Sequence, residues 1–148
     1  MEVDCSGLEV LTEEEARRLL ASTSLGRLAL NVGALPVVVP VAYQMSAAGI
    51  ILRAGEGTTV EGATRGTVVG FEADDIDPGT GEGWTVTVTG VATHLGPGEV
   101  PEEAALLPRA NGWSGRAETR VVCISVEILA GRRCHGRANA NGNGRLKG

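Results

Sequence analysis

The chain has 148 residues, enough for one domain with its own core, and carries 22 glycines but only four aromatic side chains: Tyr43, Phe71, Trp84 and Trp113. Thirteen Lys and Arg against 18 Asp and Glu leave a net charge of −5, which argues against a nucleic-acid partner, because such domains usually present a basic stripe. Neither a signal segment nor a membrane span is expected, since the start is acidic and the most apolar run, 34–43, is broken by Pro36 and Pro40.

Thr12-Glu13-Glu14-Glu15 reads as a capping box, a hydroxyl cap with a carboxylate three residues later. With Ala16, Leu19 and Leu20 on one stripe, it predicts a helix over 12–22. Alternating apolar residues then predict a strand over 27–32. A turn at Gly33-Ala34 leads into a second strand, 35–43, in which Pro36 and Pro40 cannot donate ladder bonds. A third strand covers 50–54, followed by a short helix capped by Thr58 or Thr59 and ending near Arg65-Gly66. Strands over 67–73 and 84–89 flank an acidic, Gly-rich loop whose order does not match a calcium loop. Gly90 marks a bend or a close backbone approach. A short helix over 101–107 and a last strand over 120–129 follow, the latter with Val122, Ile124, Val126 and Ile128 on one face.

Six strands with mostly short connections favour an antiparallel, mainly β fold. Free edges are costly for so small a sheet, which points to a closed or nearly closed Greek-key barrel with short helices. The expected organisation is an N-terminal extension over 1–9, a barrel domain over 10–134 and a flexible tail over 135–148, rich in Gly, Asn and Arg.

Chemistry is thinly marked. Cys5, Cys123 and Cys134 have no CxxC spacing, so neither a disulfide framework nor a metal site is expected, and a reducing cytoplasm is the expected location. His94 and His135 stand without a nucleophile motif, and no catalytic residue can be named. One constellation stands out. Arg53 closes a strand, and Gly55-Glu56-Gly57-Thr58-Thr59 leads into a helix start, supplying a guanidinium, backbone N–H groups and two hydroxyls suited to a phosphate. A Gly-rich turn with a Thr cap and an exposed Arg reads the same residues without a ligand.

The order of motifs resembles the pyridoxamine 5′-phosphate oxidase-like family of flavin-binding split barrels, in its branch of flavin and deazaflavin reductases. The resemblance rests on Leu11-Thr12-Glu13-Glu14-Glu15, Leu25-Gly26-Arg27-Leu28-Ala29, and Pro36 with Val39-Pro40-Val41-Ala42-Tyr43. It continues through Ile51-Leu52-Arg53 with Gly57-Thr58, Phe71-Glu72-Ala73-Asp74, Gly83-Trp84-Thr85-Val86 and Ile128-Leu129-Ala130-Gly131-Arg132-Arg133. It implies a six-stranded split barrel, paired as a homodimer with FMN or a deazaflavin in an interface groove, acting as an oxidoreductase on a small molecule. Arg53, Gly57, Thr58 and Thr59 would anchor the phosphate. Val39, Pro40, Val41, Ala42 and Tyr43 would line the ring, and Trp84 and Trp113 would serve as walls, with core packing as the plainer role for both tryptophans.

One departure bears on the cofactor. Relatives carry a Lys where this chain has Thr59, and Glu56 adds a negative charge beside the loop. The alternatives are FMN held weakly, a deazaflavin, or loss of the cofactor, and the rival function is a flavin-binding and storage dimer without catalysis. Arg133-Cys134-His135 also resembles an Arg-x-His near the end of true pyridoxamine phosphate oxidases, where substrate binds.

Overall fold

A computed structural model describes residues 1–108 and 119–136. The predicted Trp113 wall and most of the 135–148 tail lie outside them. Helix α1 (Glu13–Ala21) starts where the Thr12 hydroxyl accepts the Glu15 N–H at 3.1 Å, and buries Ala16, Leu19 and Leu20. The Glu15 carboxylate does not return to the cap. It pairs instead with Arg18 at 3.1 Å and with Arg133 at 3.3 Å.

Ten strands are present among the described residues, and all their pairings are antiparallel. They are β1 (Glu2–Val3), β2 (Glu9–Val10), β3 (Leu25–Val32), β4 (Leu35–Ala42), β5 (Gln44–Ser46), β6 (Gly49–Gly55), β7 (Thr67–Ile76), β8 (Gly83–His94), β9 (Thr119–Ile124) and β10 (Ile128–Cys134). Helix α2 (Thr59–Gly62) follows β6, and two 3₁₀ turns, Pro97–Glu99 and Glu102–Leu106, follow β8. The first ten residues are not a loose extension. They double back, and β2 pairs with the end of β10 through Val10↔Arg132 and Glu9↔Arg133.

The mainly β class follows from this sheet, but two details of the sequence reading change. The strand expected over 120–129 is two strands. Residues 119–124 pair with β6 and with the end of β8, whereas 128–134 pair with the start of β8. The break lies at Ser125–Glu127, which passes over Gly90 of β8. A Cβ at Gly90 would lie 1.6 Å from the Ser125 carbonyl oxygen, so the close approach read from this glycine is real. The barrel is also not closed by an unbroken ladder. The ladder path ends at β4, and the chain turns through Tyr43 into β5, which pairs with β6 from Gln44↔Ile51.

The barrel interior holds the main core: Leu28, Leu30, Val41, Tyr43, Ile50, Leu52, Ala54, Phe71, Ala73, Val86, Val88, Val122 and Ile124. These are alternate residues of their strands, as a two-residue period demands. A second cluster lies outside β6 and β9, where Ile51, Val121 and Cys123 are covered by Ala104 of the second 3₁₀ turn and by Leu107 just after it. No helix among the described residues is long and apolar enough to cross a membrane.

Candidate functional site

Arg53 belongs to the outward-facing set of β6. Its strand neighbours Leu52 and Ala54 fill the barrel, while Ile51 joins the second cluster. Its guanidinium is half-buried beneath the second 3₁₀ turn, and Nη2 donates to the Ala104 carbonyl at 2.9 Å. The Nε–H is buried without a partner, a costly state for a charged donor. Beyond the ladder β4 also comes near β6. Arg53 and the half-buried Pro40 and Ala42 of the 39–42 segment all belong to the outward-facing sets of these two strands.

Within that segment the side chains divide. Val41 is buried and Val39 packs against the core, whereas Pro40 and Ala42 are half-buried and face outward. Tyr43 faces inward. It is 1% exposed, its ring packs edge-to-face on Phe71 at 4.8 Å, and its hydroxyl donates to the Leu20 carbonyl at 2.5 Å and meets the Thr23 hydroxyl at 2.6 Å. Burial raises its pKa. The Tyr43 ring is a core element here, not a groove wall. Trp84 is likewise buried in the main core, in keeping with the plainer of its two predicted roles.

In the loop after Arg53 the Gly57 and Thr58 donors are committed. The Gly57 N–H donates to Glu61 Oε1 at 3.2 Å. The Thr58 hydroxyl donates to the Gly55 carbonyl at 2.6 Å and accepts the Glu61 N–H at 3.2 Å, capping α2. Thr59 is exposed and neutral. Glu61 is 7% exposed and pairs with Arg65, while Arg120 of β9 lies 4.0 Å from Glu61 and 3.6 Å from Glu56. The Gly57 N–H, followed by the Arg65 charge, holds the Glu61 carboxyl below its ordinary pKa, so it stays ionised. Among the described residues, three guanidiniums, Arg53, Arg65 and Arg120, thus stand with two carboxylates around this loop. The single positive charge left over is less than the two negative charges of a phosphate. These residues do not fit a phosphate dianion as they stand.

Sequence reasoning did not single out Glu61. The signal was its place three residues after the Thr58 cap, where a carboxylate can reach back to the loop. His94, read as an isolated strand-end residue, has a structural partner. The Thr64 hydroxyl donates to the Val60 carbonyl at 2.7 Å and so accepts from His94 Nε2 at 3.0 Å, which leaves a bare, buried Nδ1. Burial, then the charges of Arg65 and Arg120 against that of Glu61, lowers its pKa. Arg133 and His135 are both paired, with Glu15 and with Glu9 respectively. Among the described residues no group of three His, Cys, Asp or Glu side chains could hold a metal ion.

Beside the 39–42 segment, the outer face of β4, β3, β7 and β8 carries a shallow groove of about 440 Å³ lined by Arg27, Ala29, Val38, Gly70, Glu72 and Thr87, among others. Its floor is built of small residues, because Ala29 and Gly70 are cross-strand partners. Val38 and Val68 stand out from this face at 66% and 64% exposure. Glu72 accepts from the Thr85 hydroxyl at 3.0 Å, and Arg27 lies 4.0 Å from Asp74. Partial burial, then the neighbouring Asp74 carboxyl, pushes the Glu72 pKa up to about 7. A raised folded-state value stabilises the fold below the ordinary value of 4.5 and gives that up as pH rises through 7. Glu72→Gln is therefore expected to gain stability relative to the parent above that window, with the difference vanishing below it. Urea midpoints on both sides of the window check this.

A family model described as pyridoxamine 5′-phosphate oxidase matches residues 12–133. An uncharacterized protein of Mycobacterium tuberculosis is 39% identical over 129 residues, covering 83% of each chain. Among solved structures, the FAD binding protein from Mycobacterium smegmatis superposes with a TM-score of 0.65 at 28% identity, covering 86% of this chain and 99% of that one. An FAD-binding protein from Mesorhizobium loti, at 23% identity and a TM-score of 0.67, shares the fold over 84% of this chain and 95% of its own.

Proposed function

Because the chain belongs to the pyridoxamine 5′-phosphate oxidase family, we propose that it is a flavin-binding oxidoreductase that works as a homodimer on a small molecule. The observation that supports this reading is that the half-buried Pro40, Ala42 and Arg53 all face outward, on strands β4 and β6 that approach each other beyond the ladder. An apolar strand near a half-buried cation suits a planar, polar-edged ring. The similar M. smegmatis protein binds FAD, which supports the flavin class.

Pairing of two chains is supported by the adjoining face. Val38 and Val68 are exposed there beside the small Ala29 and Gly70, and Arg27 lies across from the Glu72 and Asp74 carboxyls. A two-fold axis through such a face would bury the valines and set cation against carboxylate. No side chain is assigned to acid or base work, since in flavoproteins the cofactor carries the redox step and the protein binds and orients it.

The reading is tested by titrating the purified protein with FMN, FAD and a deazaflavin and following absorbance and fluorescence. Saturable binding of at least one is expected. Failure of all three refutes the flavin reading. Binding without turnover, given reduced nicotinamide and a range of acceptors, turns the reading to a storage or sensing dimer.

A further inference from the structure

We infer that Glu61 sets the ligand selectivity of this site: its carboxylate takes the place of an anion at the 55–58 loop, so that a ligand's terminal phosphate gains little there. The inference rests on the flavin reading for its ligand, but on this chain's own geometry for its cause. An incoming phosphate would need donors that carry no other load. The Gly57 N–H is given to Glu61, the Thr58 hydroxyl to Gly55, and Arg53 Nη2 to Ala104. The two nearby guanidiniums, Arg65 and Arg120, already face Glu61, and Arg120 faces Glu56 as well.

Glu61 is suited to this part because it is fixed. It is nearly buried, sits in the first turn of α2 and is tied at both carboxylate oxygens, Oε1 to the loop and Oε2 to the arginines. Bringing a phosphate up to it would set like charges together in a partly desolvated place, which is costly. Removing the Glu61 charge would leave Arg65 without its carboxylate and Arg120 with Glu56 alone, and charge-assisted bonds are about twice as strong as neutral ones. Residues 55–59 include no Lys or Arg, so the loop has no cation of its own with which to outbid the carboxylate.

The test compares riboflavin with FMN, and adds inorganic phosphate as a probe that needs no flavin. The parent protein is expected to bind riboflavin and FMN within about threefold of each other, because a phosphate that must displace an ion pair returns little. Glu61→Gln, which removes the charge, is expected to tighten FMN but not riboflavin by about tenfold. Glu61→Ala, which also frees the Gly57 N–H, should gain at least as much. In thermal melts, phosphate should stabilise both variants and leave the parent unmoved.

In the unmodified protein the Gly57 amide NMR resonance should not shift on addition of phosphate, a result that does not depend on any variant folding. A parent that prefers FMN to riboflavin by more than tenfold overturns the inference. So does a Gly57 resonance that titrates with phosphate, or a folded variant with no gain for phosphate over the parent. If no flavin binds to any of the proteins, the flavin reading fails, and the phosphate melts and the Gly57 resonance still decide the role of Glu61.

Discussion

Gly90→Ala is expected to destabilise the fold by at least about 4 kcal/mol or to prevent folding, the range reserved for substitutions with a named steric cause. A single methyl group would lie 1.6 Å from the Ser125 carbonyl oxygen and 2.8 Å from its carbon, and both are backbone atoms that cannot swing aside. The contact sits where β8 changes partner. Thr89 pairs with Ile128 of β10, and Ala92 pairs with Ile124 of β9. The crossing segment is fastened on both sides of Gly90, by Ser125 N–H to the Val91 carbonyl and Glu127 N–H to the Thr89 carbonyl, each at 3.1 Å. Making room for a Cβ would break those bonds and part the two halves of the barrel. Gly70→Ala is the control: its Cβ would lie 3.5 Å from that of Ala29, an ordinary contact, and its stability should stay close to the parent's. Urea unfolding of the two variants checks the pair. A Gly90→Ala midpoint near the parent's would contradict the crossing described here.

Tyr43→Ala is expected to cost about 3–5 kcal/mol, as for other large aromatic truncations in cores. Tyr43→Phe should cost about 1–3 kcal/mol, since it strands the Leu20 carbonyl and the Thr23 hydroxyl. Tyr43 occupies the bend between β4 and β5, where the chain itself joins the two sides of the barrel. Its own N–H donates to the Ser24 carbonyl at 3.0 Å, and its hydroxyl reaches the end of α1 at Leu20. One side chain thus ties the helix, the bend and the Phe71 ring together. Guanidinium unfolding of both variants measures the two contributions, and a phenylalanine variant as stable as the parent would show that the hydroxyl contributes nothing.

Much of this fold can be read from local chemistry. The Thr12 cap, the alternation through Val86 and Val88, and the glycine at position 90 each carry a physical signal short enough to be seen in sequence. The break between β9 and β10 does not, because the apolar alternation of Val122, Ile124, Val126 and Ile128 runs straight through it. Only the approach of a distant backbone at Gly90 separates them, and Ile128, next in the pattern, ends up 63% exposed. The short pairing of β1 and β2 was hidden for a related reason. Two-residue strands carry no periodicity and form only because the edge of β10 is there to receive them.

The candidate site divides in the same way. Arg53 and the 39–42 segment could be named from sequence, but the approach of β4 to β6 depends on the bend at Tyr43. The inward turn of the Tyr43 ring follows from strand alternation, since Val39, Val41 and Tyr43 share the parity opposite to that of Pro36 and Pro40. Glu61 could not be weighed without seeing Arg65 and Arg120 converge on it from a loop and a distant strand.

On the proposed function, two copies of this chain together hold a flavin. Analytical ultracentrifugation of the protein with FMN, FAD or a deazaflavin, read at both protein and flavin wavelengths, tests this. Flavin absorbance is expected to sediment with a species of twice the 15.2 kDa chain mass. Flavin left in the unsedimented solution, or a colourless chain sedimenting as a monomer, would contradict it.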